Sequence, residues 1–156
     1  MSDKDLVKVR FKLDPADGHG CDTETMWAEK IGPNEFRLKN SPFFVFGVSY
    51  EDVVEADGQD NQEMPDFRRV VSRGGHSTYR VYLLEGRKLQ GDEFLSRWTP
   101  IGALGATYEN GNDRIAAVDI PPGSDVNEIY RLLEAGEVDG VWEFEEGHFE
   151  PSSTAV

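Results

Sequence analysis

The stretch RGGHST, residues 73–78, contains the residue types that most suggest catalysis. A histidine can serve as a general base and a serine as a nucleophile. Neighbouring residues of a strand point to opposite faces, so His76 and Ser77 cannot form a nucleophile–base pair with each other. A nucleophile elbow lies between a strand and a helix, whereas these two glycines precede a strand. We therefore predict a hinge or bulge at Gly74 and Gly75 and no catalytic residue.

A second interpretation of the same stretch stays open. If the two halves of the chain enclose a cleft, Arg73, His76, Thr78 and Arg80 would converge in it. Clefts between two folded units are favoured sites for small ligands. The protein would then be a small-molecule-binding protein or an enzyme.

The other candidates for chemistry are weaker. His19, Cys21 and Asp22 lie close together in a loop, but the sequence has neither C-x-x-C nor H-x-x-x-H spacing. We expect an ordinary polar loop with a free thiol. The glycines of GALGATYENGNDR lead into a hairpin, whereas a phosphate-binding loop leads into a helix. We therefore predict no metal and no cofactor.

The composition limits the possible partners. The chain has 156 residues, a formal net charge of −14 and a pI of about 4.5. This charge repels a phosphate backbone, so we predict no nucleic-acid partner. A single cysteine excludes an internal disulfide and fits a reducing compartment. We find no signal-peptide pattern and no apolar run of membrane-spanning length, so we expect a cytoplasmic protein without a membrane partner.

The first half of the chain predicts strands. In LVKVRFKL, apolar and charged residues alternate, which is typical of a half-buried strand. We expect further strands in MWAEKIGPNEFRLKN, in SPFFVFGV before a turn near Ser49–Asp52, in the short run that follows this turn, and in DFRRVVSR. Five or six short strands without a long helix indicate a small barrel-like module over residues 5–75.

The second half predicts strands and helices in the order β-α-β-β-α-β, the ferredoxin-like arrangement. The run GDEFLSRWTPIGALGA has apolar residues at helical spacing, with Asp92 as the expected cap and Pro100 as a break or kink. The clearest helix is SDVNEIYRLLEAGEVDG, with a cap at Ser124 or Asp125 and with Gly136 following its end.

The predicted fold class is therefore α+β. A small N-terminal barrel-like module is followed by a ferredoxin-like module over residues 76–150 and by a flexible tail at residues 151–156.

The order of several landmarks resembles a known family. The runs VKVRFKLD, ETMWAEKIG, FRLKNSPFFVFGVSYEDVVEA and RGGHSTYRVYL follow one another as in a bacterial family catalogued as domain of unknown function 4265. The runs VDIPP and GVWEFEEG extend the resemblance into the last third of the chain. The resemblance implies a compact bacterial protein with these two halves. The family has no established activity, so it implies no catalytic residue.

The second sheet provides the candidate binding surface. In a ferredoxin-like sheet both helices cover one face, and alternation predicts on that face Val81, Leu83, Val118, Trp142 and Phe144. The opposite face would carry Arg80, Tyr82, Asp119, Glu143 and Glu145. That face is mostly acidic, so it would repel RNA and is suited to a basic protein. Alternatively, the first module packs over this face, or the face is merely solvated.

The leading hypothesis is a non-enzymatic, acidic cytoplasmic interaction module, of inhibitor or immunity type, that docks on a basic protein. Inhibitors that compete for a cationic cleft are often acidic, which is an argument by analogy. The alternative is a small-molecule-binding protein or enzyme that uses the cleft around His76. The sequence leaves the partner and the oligomeric state open.

Overall fold

In a computed structural model, the described residues form two β-sheets and two α-helices, which confirms the α+β class. The structure describes residues 6–17, 20, 22–57 and 64–151. His19, Cys21 and residues 152–156 lie outside the described residues, and the expectations for them stay predictions. Neither helix in the described part of the chain is long and apolar enough to cross a membrane.

The first five strands close into a barrel in the order β1-β2-β3-β4-β5. They are β1 (Leu6–Lys12), β2 (Thr23–Lys30), β3 (Glu35–Leu38), β4 (Val53–Asp57) and β5 (Asp66–Ser72). β1 pairs antiparallel with β2 and meets β5 in parallel at one position, Arg10 with Asp66, which closes the barrel. The alternation in β1 directs Val9 and Phe11 into the barrel core.

The remaining four strands form an antiparallel sheet in the order β7-β8-β6-β9. In chain order the elements are β6 (Ser77–Leu83), α1 (Asp92–Ala103), β7 (Thr107–Asn112), β8 (Ile115–Ile120), α2 (Val126–Val138) and β9 (Trp142–His148). The residues predicted on the helix-covered face all pack into one core with both helices. Four of them are buried and Phe144 is half-buried, so this side of the face assignment is confirmed.

The chain between β3 and β4 differs from the prediction. We expected a strand in SPFFVFGV, but residues 41–48 form no strand. The Glu24 carboxylate instead accepts the backbone N–H groups of Phe43, Phe44 and Val45 at 2.6–2.9 Å. Backbone groups that bind a side chain are not available to a β-ladder. We call residues 41–50 the covering segment, because they lie across the second sheet.

The helix ends agree with the sequence in part. Asp125 caps α2 as predicted and accepts the Glu128 N–H at 3.0 Å. The cap predicted for α1 was wrong, because Asp92 lies inside the helix. Of the break or kink predicted at Pro100, the break is absent, since α1 continues to Ala103. Pro100 lies in the last turn, where it removes one helical hydrogen bond, and the next residue, Ile101, is fully buried.

Gly136 has a role that the helix-end pattern did not predict. It lies inside α2, which continues to Val138. A Cβ atom at residue 136 would lie 2.4 Å from Cε2 of Trp142. The indole N–H of Trp142 donates to the Leu133 carbonyl at 2.8 Å, on the same stretch of α2. The helix can therefore pack this closely on β9 because residue 136 has no side chain.

We predict that Trp142→Ala lowers the free energy of unfolding by about 3–5 kcal/mol, because the ring is fully buried and its hydrogen bond is lost. Glu143→Ala should change it by less than about 0.5 kcal/mol, because this neighbouring side chain is exposed. Urea denaturation of both variants measures the difference. Equal losses would show that the two faces of β9 are assigned the wrong way round.

Candidate functional site

The guanidinium of Arg80 lies between the covering segment and the second sheet. The sequence placed Arg80 on the face opposite the helices, and the structure buries it to 0% exposure. Its Nη1 donates to the Val45 carbonyl at 2.6 Å and its Nη2 to the Phe44 carbonyl at 3.1 Å. The ring of Phe46 lies over the guanidinium at 4.6 Å. Arg80 is therefore part of an internal contact and not of an exposed surface.

One carboxylate neutralises this buried cation. Glu145 Oε2 accepts a hydrogen bond from Arg80 Nε at 3.1 Å and lies 3.0 Å from Nη2. The same oxygen accepts the Tyr82 hydroxyl at 2.7 Å. Burial, together with this hydrogen bond, raises the pKa of Tyr82 well above its usual value, so the hydroxyl stays protonated and donates. A buried guanidinium needs such pairing, since an unpaired buried charge is strongly destabilising.

Other contacts hold the covering segment along the same face. Ser49 Oγ and Thr78 Oγ1 lie 2.6 Å apart, and both residues are buried. Glu109 on β7 accepts the Ser41 N–H at 2.9 Å. The Gly47 N–H donates to a carbonyl near the end of β9 at 2.8 Å. The sequence left open whether this face is a docking surface, is solvated or is covered by the first module. These contacts favour a covered face.

His76 and Asp119 form a polar pair at the rim of this contact. His76 Nδ1 lies 2.8 Å from Asp119 Oδ1, and the two side chains are only 12% and 15% exposed. The ring of Tyr50 meets the imidazole edge-on at 5.1 Å. In the tautomer in which Nδ1–H donates a hydrogen bond to the carboxylate, Nε2 is the unprotonated nitrogen of the ring. The sequence assigned these residues to two different candidate sites, and the structure brings them together.

Arg73 and Thr78 do not join this pair. Arg73 Nη1 donates to the Asp52 carboxylate at 2.9 Å, and Asp52 is fully buried. The same carboxylate accepts the backbone N–H groups of Ser49 and Gly74. Thr78 is bound to Ser49. Two of the four residues expected in a common cleft, Arg73 and Thr78, thus fix the turn before β4, while Arg80 holds the covering segment.

The backbone beside His76 is unusual. Glu51 has a φ of 74°, in the left-handed region that residues other than glycine rarely adopt. A Cβ atom at Gly74 would lie 2.6 Å from the Glu51 carbonyl oxygen, so this close approach requires glycine. Gly75 has a φ of 92°, as expected for the predicted hinge or bulge.

Two carboxylates that organise this region were not identified from the sequence. Glu24 binds three backbone N–H groups of the covering segment, and Asp52 fixes the turn that precedes β4. The turn predicted at Ser49–Asp52 was a usable signal for Asp52. No spacing distinguishes Glu24 among the 30 acidic residues of the chain.

Three surface cavities lie away from the His76 pair. Their volumes are about 380, 480 and 330 Å³, and they lie at residues 86–94, at the β1–β5 seam of the barrel and on the last turns of α2. His76 lines none of these three. Within the described ranges, no group of three or more His, Cys, Asp or Glu side chains is placed to hold a metal ion.

The exposed part of the predicted acidic surface lies on β9. Glu143 and Glu146 are exposed, and Glu145 is half-buried. Glu146 was not among the residues predicted for docking, and it lies on the helix-facing side of β9, where it pairs with Tyr79. We call Glu143, Glu145 and Glu146 together the acidic row. Asp119 is largely covered, and Tyr82 is half-buried with its hydroxyl bound to Glu145. Of the five residues predicted for docking, Glu143 is thus the one that solvent reaches most freely.

These features define an acidic α+β protein in which a buried arginine joins a five-stranded barrel to a four-stranded sheet. A family model described as Domain of unknown function (DUF4265) matches residues 24–144, and the chain belongs to this family, as the resemblance predicted. A crystal structure of a hypothetical protein from Neisseria gonorrhoeae has a TM-score of 0.75 at 15% identity, over 92% of this chain and 95% of that chain. At that identity the likeness shows the fold alone. No curated protein matches this chain.

We predict that Arg80→Met lowers the free energy of unfolding by about 3–5 kcal/mol, because the hydrogen bonds of Arg80 to Glu145 and to two carbonyls are lost and the Glu145 carboxylate loses its buried cation. Arg80→Lys should recover only part of this loss, since a compact ammonium does not reproduce the planar fork with which the guanidinium reaches all three acceptors. The matched control is Arg97→Met, which removes a pair with Asp139 at the surface and should cost less than about 1 kcal/mol. Urea denaturation measures all three variants, and equal small losses at both positions would contradict the assignment.

Proposed function

We propose that the protein is a non-enzymatic, acidic interaction module that docks on a basic protein. The observation that carries this proposal is the acidic row on β9, which remains accessible in a chain of net charge −14. An inhibitor or immunity-type protein that covers a cationic site would have the same charge character.

The buried contacts narrow the proposed surface. Arg80 is fully buried, and Glu145 and Tyr82 are both bonded within its network. A partner approaching β9 therefore meets Glu143 and Glu146 first. Because Arg80 is paired beneath the covering segment, its positive charge does not oppose the field of these glutamates at the surface.

Charge of this kind acts mainly on the rate of association. Exposed charges within about 8 Å of the contact are felt at physiological ionic strength, and more distant ones are largely screened. The acidic row would therefore steer a basic partner more than acidic residues elsewhere on the chain.

The proposal includes the finer architecture. We assign residues 5–75 to a barrel-like module and residues 76–150 to a ferredoxin-like module. The strand order β7-β8-β6-β9, with both helices packed on one face, supports the ferredoxin-like assignment. The Arg80 network supports a rigid connection between the modules, because it couples β6 and β9 to the covering segment.

We predict that Glu143→Lys combined with Glu146→Lys slows association with the basic partner at least about tenfold at low salt, with a melting temperature close to wild type. Glu145 is left unchanged, because it holds Arg80. The protein captured from a cell extract by the wild type serves as the ligand in a kinetic binding measurement at low and high salt.

The matched control is Glu134→Lys combined with Glu137→Lys on α2, which changes the net charge by the same amount at two exposed positions. This variant should keep most of the wild-type association rate. Equal slowing in both double variants would show that net charge, and not the surface on β9, governs binding.

The His76–Asp119 pair favours a second candidate, a small-molecule-binding or enzymatic site where the modules meet. The specific observation is the 2.8 Å contact between two largely buried titratable groups. Strained backbone such as that of Glu51 also clusters at functional sites. A metabolite screen that follows the His76 ring signals by NMR tests this candidate. A ligand should shift these signals in the wild type and not in Asp119→Asn, and no shift with any compound would count against it.

A further inference from the structure

β9 lies at an edge of the second sheet. Among the described residues it pairs with β6 alone. An edge strand presents unpaired backbone N–H and C=O groups, which can pair with a strand from another chain. The two ends of β9 are less accessible, because Trp142 is 0% exposed and the Gly147 carbonyl accepts the Gly47 N–H. The accessible part of the edge is therefore residues 143–146.

The register of β6 and β9 shows which backbone groups point outward. The Leu84 N–H donates to the Val141 carbonyl at 3.3 Å, on the β9 side of β6, and the neighbouring Leu83 N–H donates the other way, to the Arg114 carbonyl at 2.8 Å beside β8. Hydrogen-bonded and non-hydrogen-bonded pairs alternate along antiparallel strands. Glu143 and Glu145, opposite Tyr82 and Arg80, therefore direct their backbone groups toward β6.

Phe144 and Glu146 direct their backbone groups away from β6. Phe144 and Glu146 lie opposite Val81 and Tyr79 in non-hydrogen-bonded pairs. Their N–H and C=O groups point away from β6, toward the open edge. Phe144 is half-buried and Glu146 is exposed, so an added strand can reach this edge.

The side chains around the edge define what such a strand must carry. Phe144 stacks edge-on with Tyr130 at 5.3 Å, and Tyr130 is 40% exposed, which offers an apolar contact on the helix side. Glu143 is exposed on the opposite side of the strand. Glu146 accepts a long hydrogen bond from the Tyr79 hydroxyl at 3.3 Å and remains exposed. The edge thus presents one apolar position flanked by two carboxylates.

The charges at the edge determine which kind of strand can pair with it. If a second copy of this chain paired through its own β9, glutamates would face glutamates, and like charges directly opposite each other destabilise a strand pair. A basic segment would instead place cations opposite Glu143 and Glu146. Pairing with a strand from a basic partner is therefore the arrangement that satisfies both the backbone and the charges.

We propose that a basic protein adds an extended segment antiparallel to β9, with its backbone bonded to Phe144 and Glu146. This inference rests on the proposed docking function and specifies its geometry. In chain order the segment carries a basic residue opposite Glu146, any residue opposite Glu145, an apolar residue opposite Phe144 and a basic residue opposite Glu143. The apolar side chain contacts Phe144 and Tyr130.

The test uses the whole chain and a synthetic hexapeptide in which Lys, Thr, Val and Lys follow one another between two Thr residues. A peptide with Glu in place of both Lys is the control ligand. In NMR hydrogen exchange, the basic peptide should slow exchange at the Phe144 and Glu146 amides. The Glu143 and Glu145 amides should change little, because they already face β6. The control peptide should have no effect.

Two substitutions at one position separate charge from strand pairing. Glu146→Gln removes the charge alone and should weaken the binding of the basic peptide about two- to fivefold. Glu146→Pro also removes the outward N–H, which proline tolerates at a sheet edge, and should weaken it by a further factor of about two to ten. If Glu146→Pro does not fold, the exchange pattern of the wild type still decides the question.

Strand addition is supported if the basic peptide slows exchange at the Phe144 and Glu146 amides and binds Glu146→Pro more weakly than Glu146→Gln. Equal affinities of these two folded variants, or peptide binding without slowed exchange at the two amides, would overturn it. Absence of peptide binding would overturn it as well. If the basic partner still depends on Glu143 and Glu146 in those cases, the proposed docking function stands without strand addition.

Discussion

The buried guanidinium of Arg80 is the interaction on which the arrangement of the molecule depends. It binds two carbonyls of the covering segment and one carboxylate of β9, so three parts of the chain are fixed by one side chain. The two carbonyls lie in the covering segment, where residues 41–48 form no strand, and the carboxylate lies on the edge strand β9. Such a network stabilises the fold only when it is complete, because removing any partner leaves a buried polar group without its bond.

This constraint also determines where function can lie. The covering segment closes the sheet face opposite the helices, where the sequence placed a docking surface. The acidic side chains that remain accessible are at the edge strand β9, and the polar pair of His76 and Asp119 lies at the rim of the covered region. The same packing that removes one binding surface thus leaves an edge with unpaired backbone and exposed carboxylates.

Periodicity predicted the elements whose residues alternate against a single core. β1 and the helix-facing side of β6, β8 and β9 follow from the pattern of apolar residues alone. The covering segment could not be predicted, because its apolar residues resemble a strand while its backbone is bound by Glu24 and Arg80 from distant parts of the chain. The role of Gly136 depends on contact with Trp142, which local sequence does not contain. Asp119 was predicted on the acidic face of the second sheet. Its pairing with His76 could not be predicted, because it depends on the register between β6 and β8.

Residue-resolved urea unfolding by NMR tests most directly whether Arg80 joins the two parts into one cooperative unit. If Arg80 couples the two parts, amide signals of β1–β5 and of β6–β9 in the wild type disappear at the same urea concentration. In Arg80→Met the two midpoints should separate. Two separate midpoints in the wild type would contradict this coupling, because the barrel and the sheet would then be stable independently of the buried arginine.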